Sequence, residues 1–240
     1  MVILLNSEWR MANTRNMNAS IIIFLLVIGL FIDQTVELWG QNIANILIWL
    51  FFIKLFSEGN RSERTSLILC LIYATAGEIF LSLVWGLYEY RLYNIPLFVP
   101  PGHALLFTLG ILFAPKVPNW FIWAVPALTA PYMILAILSG FDTMGGILFL
   151  TFLICLIFGE AKKLYATMFV LSLILEIYGT WLGNWTWAYD VPWLGLTSTN
   201  PPACAGAFYC LLDLLVVSTV KQLKTPITQP ENNTLCADSE

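Results

Sequence analysis

The sequence is poor in charge and almost devoid of histidine. Its 240 residues include 11 Lys and Arg, 15 Asp and Glu, and one His, so charged side chains make up 11% of the chain. Ordinary soluble domains carry about 25%. The net charge of −4 and the absence of a basic stripe exclude a nucleic-acid binder. One histidine is too few for a His-rich metal site, and no CxxC pair occurs. GxGxxG, P-loop, HExxH, GxSxG and DDxxD motifs are all missing, so nothing points to dinucleotide, nucleotide or zinc-hydrolase chemistry. Neither a cofactor nor a metal is expected. The five cysteines, Cys70, Cys155, Cys204, Cys210 and Cys236, lie mostly in apolar runs and read as small packing residues.

What the chain has in excess is apolar surface. It is 59% hydrophobic, with a mean hydropathy of +0.78. A soluble fold of this size needs a polar shell that such a composition cannot supply. The same excess excludes disorder. The expected class is all-α, a polytopic transmembrane helix bundle with the lipid bilayer as its surroundings. Arg10 and Arg15 precede the apolar run Ile21 to Ile32 in the manner of a signal peptide. The residues that follow, Asp33 to Glu37, lack a small-x-small cleavage site, so the run reads as a retained first helix.

A span needs about 20 apolar residues. Eight segments qualify: 18–32, 42–56, 66–87, 102–114, 118–139, 144–158, 164–183 and 203–220. Several are short, which leaves seven spans as the rival count. The charges between segments favour eight. With the N-terminus inside, the inner segments hold Arg10, Arg15, Lys54, Arg61, Arg64, Lys116, Lys162, Lys163, Lys221 and Lys224, and the outer ones hold only Arg91. That asymmetry is what the positive-inside bias produces. Both termini are then cytoplasmic, in a bacterial inner (plasma) membrane. Residues 1–17 form a cytoplasmic segment, 18–220 the bundle and 221–240 a polar tail.

The two halves, 18–114 and 118–220, resemble each other. Phe56-Ser57-Glu58-Gly59-Asn60-Arg61 is echoed by Phe158-Gly159-Glu160-Ala161-Lys162-Lys163. Glu78-Ile79-Phe80 leads to Trp85-Gly86, Tyr88, Tyr90, Ile95-Pro96 and Pro100-Pro101. Glu176-Ile177-Tyr178 leads in the same order to Leu182-Gly183, Trp185, Trp187, Val191-Pro192 and Pro201-Pro202. With eight spans the copies run in the same direction. The result is a parallel repeat of helices 1–4 and 5–8, a design that places its site at the repeat interface.

The acids inside spans come first as functional residues. Glu78 and Glu176 sit about twelve residues into their segments, near or just outside the midplane at about 1.5 Å per residue. A carboxylate there costs roughly 2.5–3.5 kcal/mol, and such residues face a bundle interior. A neutral carboxyl beside an ionised one provides an acid and a base. Asp213 lies inside the last segment with no acidic counterpart in the fourth. His103 follows Pro100-Pro101-Gly102 at a helix start. Glu78, Glu176, Asp213 and His103 are therefore the expected catalytic set, with the three acids in one cavity. The bland alternative is interhelical hydrogen bonding. The loops on one side are aromatic: Trp85, Tyr88, Tyr90, Tyr93, Trp181, Trp185, Trp187, Tyr189 and Trp193. They read either as an interfacial girdle or as walls for an apolar substrate whose developing cation the π-faces would steady. For substrate contact the expected set is Trp85, Tyr88, Tyr90, Arg91, Trp181, Trp185, Trp187 and Tyr189. Arg91 has Glu89, Asp190 or an anionic head group as possible partners.

The pattern Glu176, Gly179, Gly183, Trp187, Tyr189, Pro192 resembles that of membrane carotenoid-biosynthesis proteins of the carotenoid hydratase type. The overall size, with Glu78 early and Asp213 late, is similar to the integral-membrane terpene cyclases. The stretch from Tyr88-Glu89-Tyr90-Arg91 to Pro100-Pro101-Gly102-His103 also looks like bacterial multi-pass proteins of unassigned function. The first two resemblances imply acid–base work on a lipid-soluble isoprenoid or similar alkene, by hydration or cyclisation. A transporter or binder of a small or lipidic ligand, and a membrane protein without chemistry, are the alternatives.

Overall fold

The computed structural model describes residues 15–37 and 39–224. The expected cytoplasmic segment (apart from residues 15–17), most of the polar tail, Arg10 and Cys236 lie outside the described residues. Among the described residues there are eight α-helices: α1 (Arg15–Thr35), α2 (Gly40–Glu58), α3 (Arg61–Glu78), α4 (Val99–Phe113), α5 (Phe121–Ser139), α6 (Thr143–Phe158), α7 (Lys162–Leu182) and α8 (Gly206–Lys224). A π-helical turn, Ile79–Val84, continues α3. Two short antiparallel ribbons complete the fold: β1 (Tyr88–Tyr90) with β2 (Trp185–Trp187), and β3 (Asp190–Val191) with β4 (Leu196–Thr197). These ribbons had no counterpart in the sequence reading.

Six helices are long and apolar enough to cross a membrane: α1, α2, α3 with its π turn, α5, α7 and α8. The chain is accordingly an integral membrane protein of the multi-pass kind. Its surface is apolar: Phe24, Leu50, Leu128, Leu138 and Ile174 are all well exposed. Glu78, Glu176 and Asp213 are buried. This reversal of the soluble pattern suits a lipid solvent, where a polar group must find its partner inside the bundle. Helices α4 and α6 are shorter, at 15 and 16 residues. Twelve residues of α4 are buried, so it is a central strut wrapped by α1, α2, α3 and α7.

Local chemistry sets the helix ends. Asn60 caps α3 by accepting from the Ser62 and Glu63 amides, while Glu63 reaches back to the Asn60 amide. This reciprocal box satisfies donors that a helix start leaves orphaned. Asp142 caps α6 through the Gly145 amide and also accepts from Thr199 and Ala203, tying the α5–α6 corner to the loop before α8. At the other end of the bundle, Gly59 and Gly159 close α2 and α6 with matching geometry (φ −70°, ψ 148° and φ −79°, ψ 151°). The π turn and α7 end at Gly86 and Gly183, at φ +73° and +86°. A side chain would be strained there, and the left-handed backbone turns each chain into its strand.

Helices α3 and α7 start at Arg61 and Lys162, earlier than the expected 66 and 164. Glu78 and Glu176 therefore sit in the third of their helices nearest the β1–β2 ribbon, not at mid-length. Packing pairs α1 with α2, α5 with α6, α3 with α4 and α8, and α7 with α4 and α8. The two glutamates are brought together where α3, α4, α7 and α8 converge beneath the ribbon.

Candidate functional site

The ribbon is the roof of the site. Its register pairs Tyr88 with Trp187, Glu89 with Thr186 and Tyr90 with Trp185. Strand alternation sends residues 88, 90, 185 and 187 inward, where they are buried, and 89 and 186 outward. The four inward rings meet the two glutamates. Tyr88 and Tyr90 donate from their hydroxyls to Glu78 Oε2, at 2.8 and 2.7 Å. Trp185 and Trp187 donate from Nε1 to Glu176 Oε2, at 2.9 and 3.2 Å. Burial, and after it the Glu78 carboxylate, pushes the Tyr88 and Tyr90 hydroxyls upward from the ordinary phenol range, which keeps both as donors.

The second oxygen of each carboxyl faces a different partner. Glu78 Oε1 lies 3.5 Å from His103 Nε2. Tyr209 donates to Glu176 Oε1 at 2.9 Å. The His103 and Tyr209 rings stack, with centroids 4.9 Å apart and planes 8° from parallel. His103 Nδ1 is 2.9 Å from the Val99 carbonyl. A carbonyl only accepts, so Nδ1 carries a hydrogen. His103 Nε2 is then the ring atom that faces Glu78 Oε1. An indole N–H only donates, so Glu176 Oε2 is the acceptor in both bonds.

The register between each glutamate and its strand explains the π turn. Tyr88 and Tyr90 follow Glu78 by ten and twelve residues. Trp185 and Trp187 follow Glu176 by nine and eleven. The first half has one residue more. The π turn absorbs it: the Trp85 amide bonds the Phe80 carbonyl, five residues back, at 2.7 Å. Such single-turn bulges add a residue within a helix. On the other side, Gly179 leaves space for Trp185. A Cβ there would stand 2.0 Å from the indole.

Beneath the ribbon the two glutamates, His103 and Tyr209 share a cavity of about 60 Å³. Its remaining wall is aliphatic, built mainly from Leu25, Leu26, Gly29, Leu30, Ile48 and Leu106. Among the described residues, no group of three or more His, Cys, Asp or Glu side chains is arranged to hold a metal ion. Compared with family models, curated proteins and solved structures, the chain matches none. Its chemistry therefore has to be read from the site alone.

Of the expected catalytic residues, Glu78, Glu176 and His103 come together, and Asp213 does not. Asp213 is fully buried one helical turn beyond Tyr209, near Cys70, Cys155, Cys210 and Tyr165. Neither of its carboxyl oxygens has a hydrogen-bond partner among the described residues. The expectation of three acids in one cavity is corrected to two. The cause is depth: Tyr209 and Asp213 share one face of α8, four residues apart, and Tyr209 is the one level with Glu176.

The expected substrate-contact set also divides. Tyr88, Tyr90, Trp185 and Trp187 line the cavity; Trp85, Arg91, Trp181 and Tyr189 do not. Trp85 donates to the Pro192 carbonyl and stacks on Trp193. Trp181 and Tyr189 are exposed, at 77% and 60%. Arg91 pairs with Asp33, not with Glu89 or Asp190. Asn184 bonds the other Asp33 oxygen and the Leu30 carbonyl, which locks the end of α1 to the ribbon. Sequence reasoning missed Asp33, the structural use of Asn184, and Tyr209. Tyr209 was within reach: it lies one turn from the flagged Asp213, on the same helix.

Proposed function

We propose that the protein is a membrane-embedded acid–base enzyme acting on a lipid-soluble isoprenoid or similar alkene, with Glu78 as the acid. One observation carries this reading: Glu78 Oε1 and His103 Nε2, 3.5 Å apart, face each other in a cavity whose opposite wall is aliphatic. Proton transfer from Glu78 to an alkene carbon uses the π electron pair to form a C–H bond and leaves a cation on the neighbouring carbon. The rings of Tyr88, Tyr90 and Trp187 and the Glu176 carboxylate would steady that cation. Loss of a proton from an adjacent carbon to the Glu78 carboxylate completes an isomerisation or cyclisation. Capture by water, with the proton passing to the same carboxylate, completes a hydration. Both outcomes are redox-neutral and need no cofactor. The cavity is well below the roughly 300–1,000 Å³ that encloses a drug-sized ligand, so only the reacting end of a long substrate would sit inside. The resemblance to carotenoid hydratases and membrane terpene cyclases agrees with this chemistry.

The same reading takes the chain as eight spans with both ends cytoplasmic in a bacterial plasma membrane, built as a parallel duplication of 18–114 and 118–220. Matched glycine caps at Gly59 and Gly159, matched turns at Gly86 and Gly183, and the paired cradles of Glu78 and Glu176 support duplication. The distribution of Lys and Arg supports the orientation. A proton-coupled transporter of a lipidic ligand is the second reading, favoured by the same two-fold arrangement.

The deciding experiment is lipid extraction and mass spectrometry of cells with the gene, without it, and with Glu78→Gln. The enzyme reading expects a product that the gene creates and Glu78→Gln abolishes, at unchanged amounts of folded protein. Full product from Glu78→Gln would overturn it. Retained ligand binding with loss of pH-driven uptake would instead establish the transporter.

A further inference from the structure

We infer that the cavity is loaded sideways from the bilayer, through a portal between α1 and α7 framed by Leu25 and Leu175, so its ligand is an apolar molecule dissolved in the hydrocarbon. This rests on the reading of Glu78, His103 and Glu176 as the site. Of the residues that line the cavity, Leu25, His103 and Leu175 are half-buried and the others are buried. The opening is therefore where those three lie. Leu25 is the eleventh of the 21 residues of α1, at the middle of a membrane-length helix. Leu175 immediately precedes Glu176. Their neighbours on the outer surface, Phe24, Val27, Ile174 and Ile177, are exposed and apolar. A mouth in that setting faces lipid tails and not water.

The ribbon end is closed. All four inward rings of the ribbon are buried and hydrogen-bonded to the glutamates. Arg91, Asp33 and Asn184 tie the end of α1 to the ribbon. A groove of about 390 Å³ does exist on the far side of the ribbon, lined by Glu89, Thr186, Tyr93 and Asn94. It shares Tyr88, Tyr90 and Trp187 with the cavity but neither glutamate lines it. A water-borne ligand docked there would be separated from the carboxyls by the strands themselves.

The portal has a rim and an inner wall. One turn toward the ribbon, Tyr178 of α7 donates to the Val27 carbonyl of α1 at 3.2 Å, a cross-tie that sets the helix separation just above the opening. Behind it, a Cβ added at Gly29 would meet only Ala44 and Ile48, both at 4.0 Å. Glycine at this position thus leaves room for one carbon in the cavity wall beside α2.

Carboxyl-directed reagents of opposite solubility test this without knowledge of the substrate. The full chain in native membranes is treated with N,N′-diisopropylcarbodiimide, which partitions into lipid, or with a water-soluble carbodiimide bearing a dimethylaminopropyl ammonium group. Modification of Glu78 or Glu176 is read by peptide mass spectrometry. The lipid-soluble reagent is expected to modify a cavity glutamate at least about tenfold faster, given the transfer preference of its alkyl groups. Leu25→Trp and Leu175→Trp each slow that reaction, Leu25→Ala speeds it, and Ile23→Trp, on the lipid face of α1 away from the cavity, leaves it unchanged. Two tryptophan variants and one alanine variant keep the test decisive if one of them fails to fold. Labelling by the water-soluble reagent at an equal or greater rate, or folded portal variants with unaltered rates, overturns the portal. The product assay on Glu78→Gln is a separate readout, so the portal can fail while the acid–base reading stands, and the reverse.

Discussion

Around Glu78 the ribbon offers two phenols; around Glu176, at the matching place, it offers two indoles. The distinction is chemical. A phenol both donates and accepts and can rotate its hydrogen, whereas an indole only donates from a fixed direction. The ring facing the second oxygen differs in the same sense. Glu78 faces an imidazole nitrogen that can exchange a proton; Glu176 faces a hydroxyl that donates to it. One cradle leaves an oxygen facing a group that can take up or release a proton, the other surrounds its carboxyl with donors. Asp213 is the contrasting case, a buried acid with neither kind of cradle.

Exchanging each glutamate for its amide gives the largest contrast. Glutamine at position 78 can accept from both tyrosines and donate to His103 Nε2, so the fold survives while the transferable proton is gone. Product formation should fall by about 10²–10⁴, the usual worth of a general acid. Glu176→Gln keeps the carbonyl under the two indoles and should cost less activity. Similar losses in both variants would erase the proposed division of labour. Glu176→Leu is different: it strands two indole N–H groups and the Tyr209 hydroxyl, each at about 1–3 kcal/mol. A clear drop in folded yield, read by size-exclusion fluorescence, is the expected outcome.

Removing the roof donors sharpens the comparison further. Trp185→Phe with Trp187→Phe should lower thermal stability more than Tyr88→Phe with Tyr90→Phe. Glu176 would be left with the lone Tyr209 bond, while Glu78 would still face His103. Equal shifts in melting temperature would show that the two carboxyls are held in equivalent states.

Asp213→Leu tests the uncradled acid. Deleting a buried carboxyl whose oxygens lack partners relieves a desolvation cost of about 1–3 kcal/mol, so stability should rise, with product formation intact. Loss of product in a folded Asp213→Leu variant would return Asp213 to the chemistry. The smallest effect is expected from Gly179→Ala. Its new methyl group would push Trp185 off Glu176, read as a shift in tryptophan emission and a loss in stability below that of Glu176→Leu.

Much of this was legible in the sequence because it follows from composition and spacing. Low charge and long apolar runs fix the bilayer as solvent. The cost of a carboxyl in hydrocarbon marks Glu78 and Glu176 as inward-facing. The aromatic residues that follow them were legible as a girdle or as pocket walls, and residues 88, 90, 185 and 187 do line the cavity. What only the tertiary structure decided was which of the flagged residues meet. The β1–β2 pairing joins segments 97 residues apart, and no local pattern announces it. The depth of α8 puts Tyr209 level with the glutamate and leaves Asp213 a turn away among thiols. Arg91 found Asp33 because α1 ends beside the ribbon, a proximity set by helix packing and not by sequence neighbourhood. Periodicity and solvent cost act within one segment, so they can be read from one segment. Partnership between segments depends on the depth and rotation of each helix against the others, and that is settled only when the bundle packs.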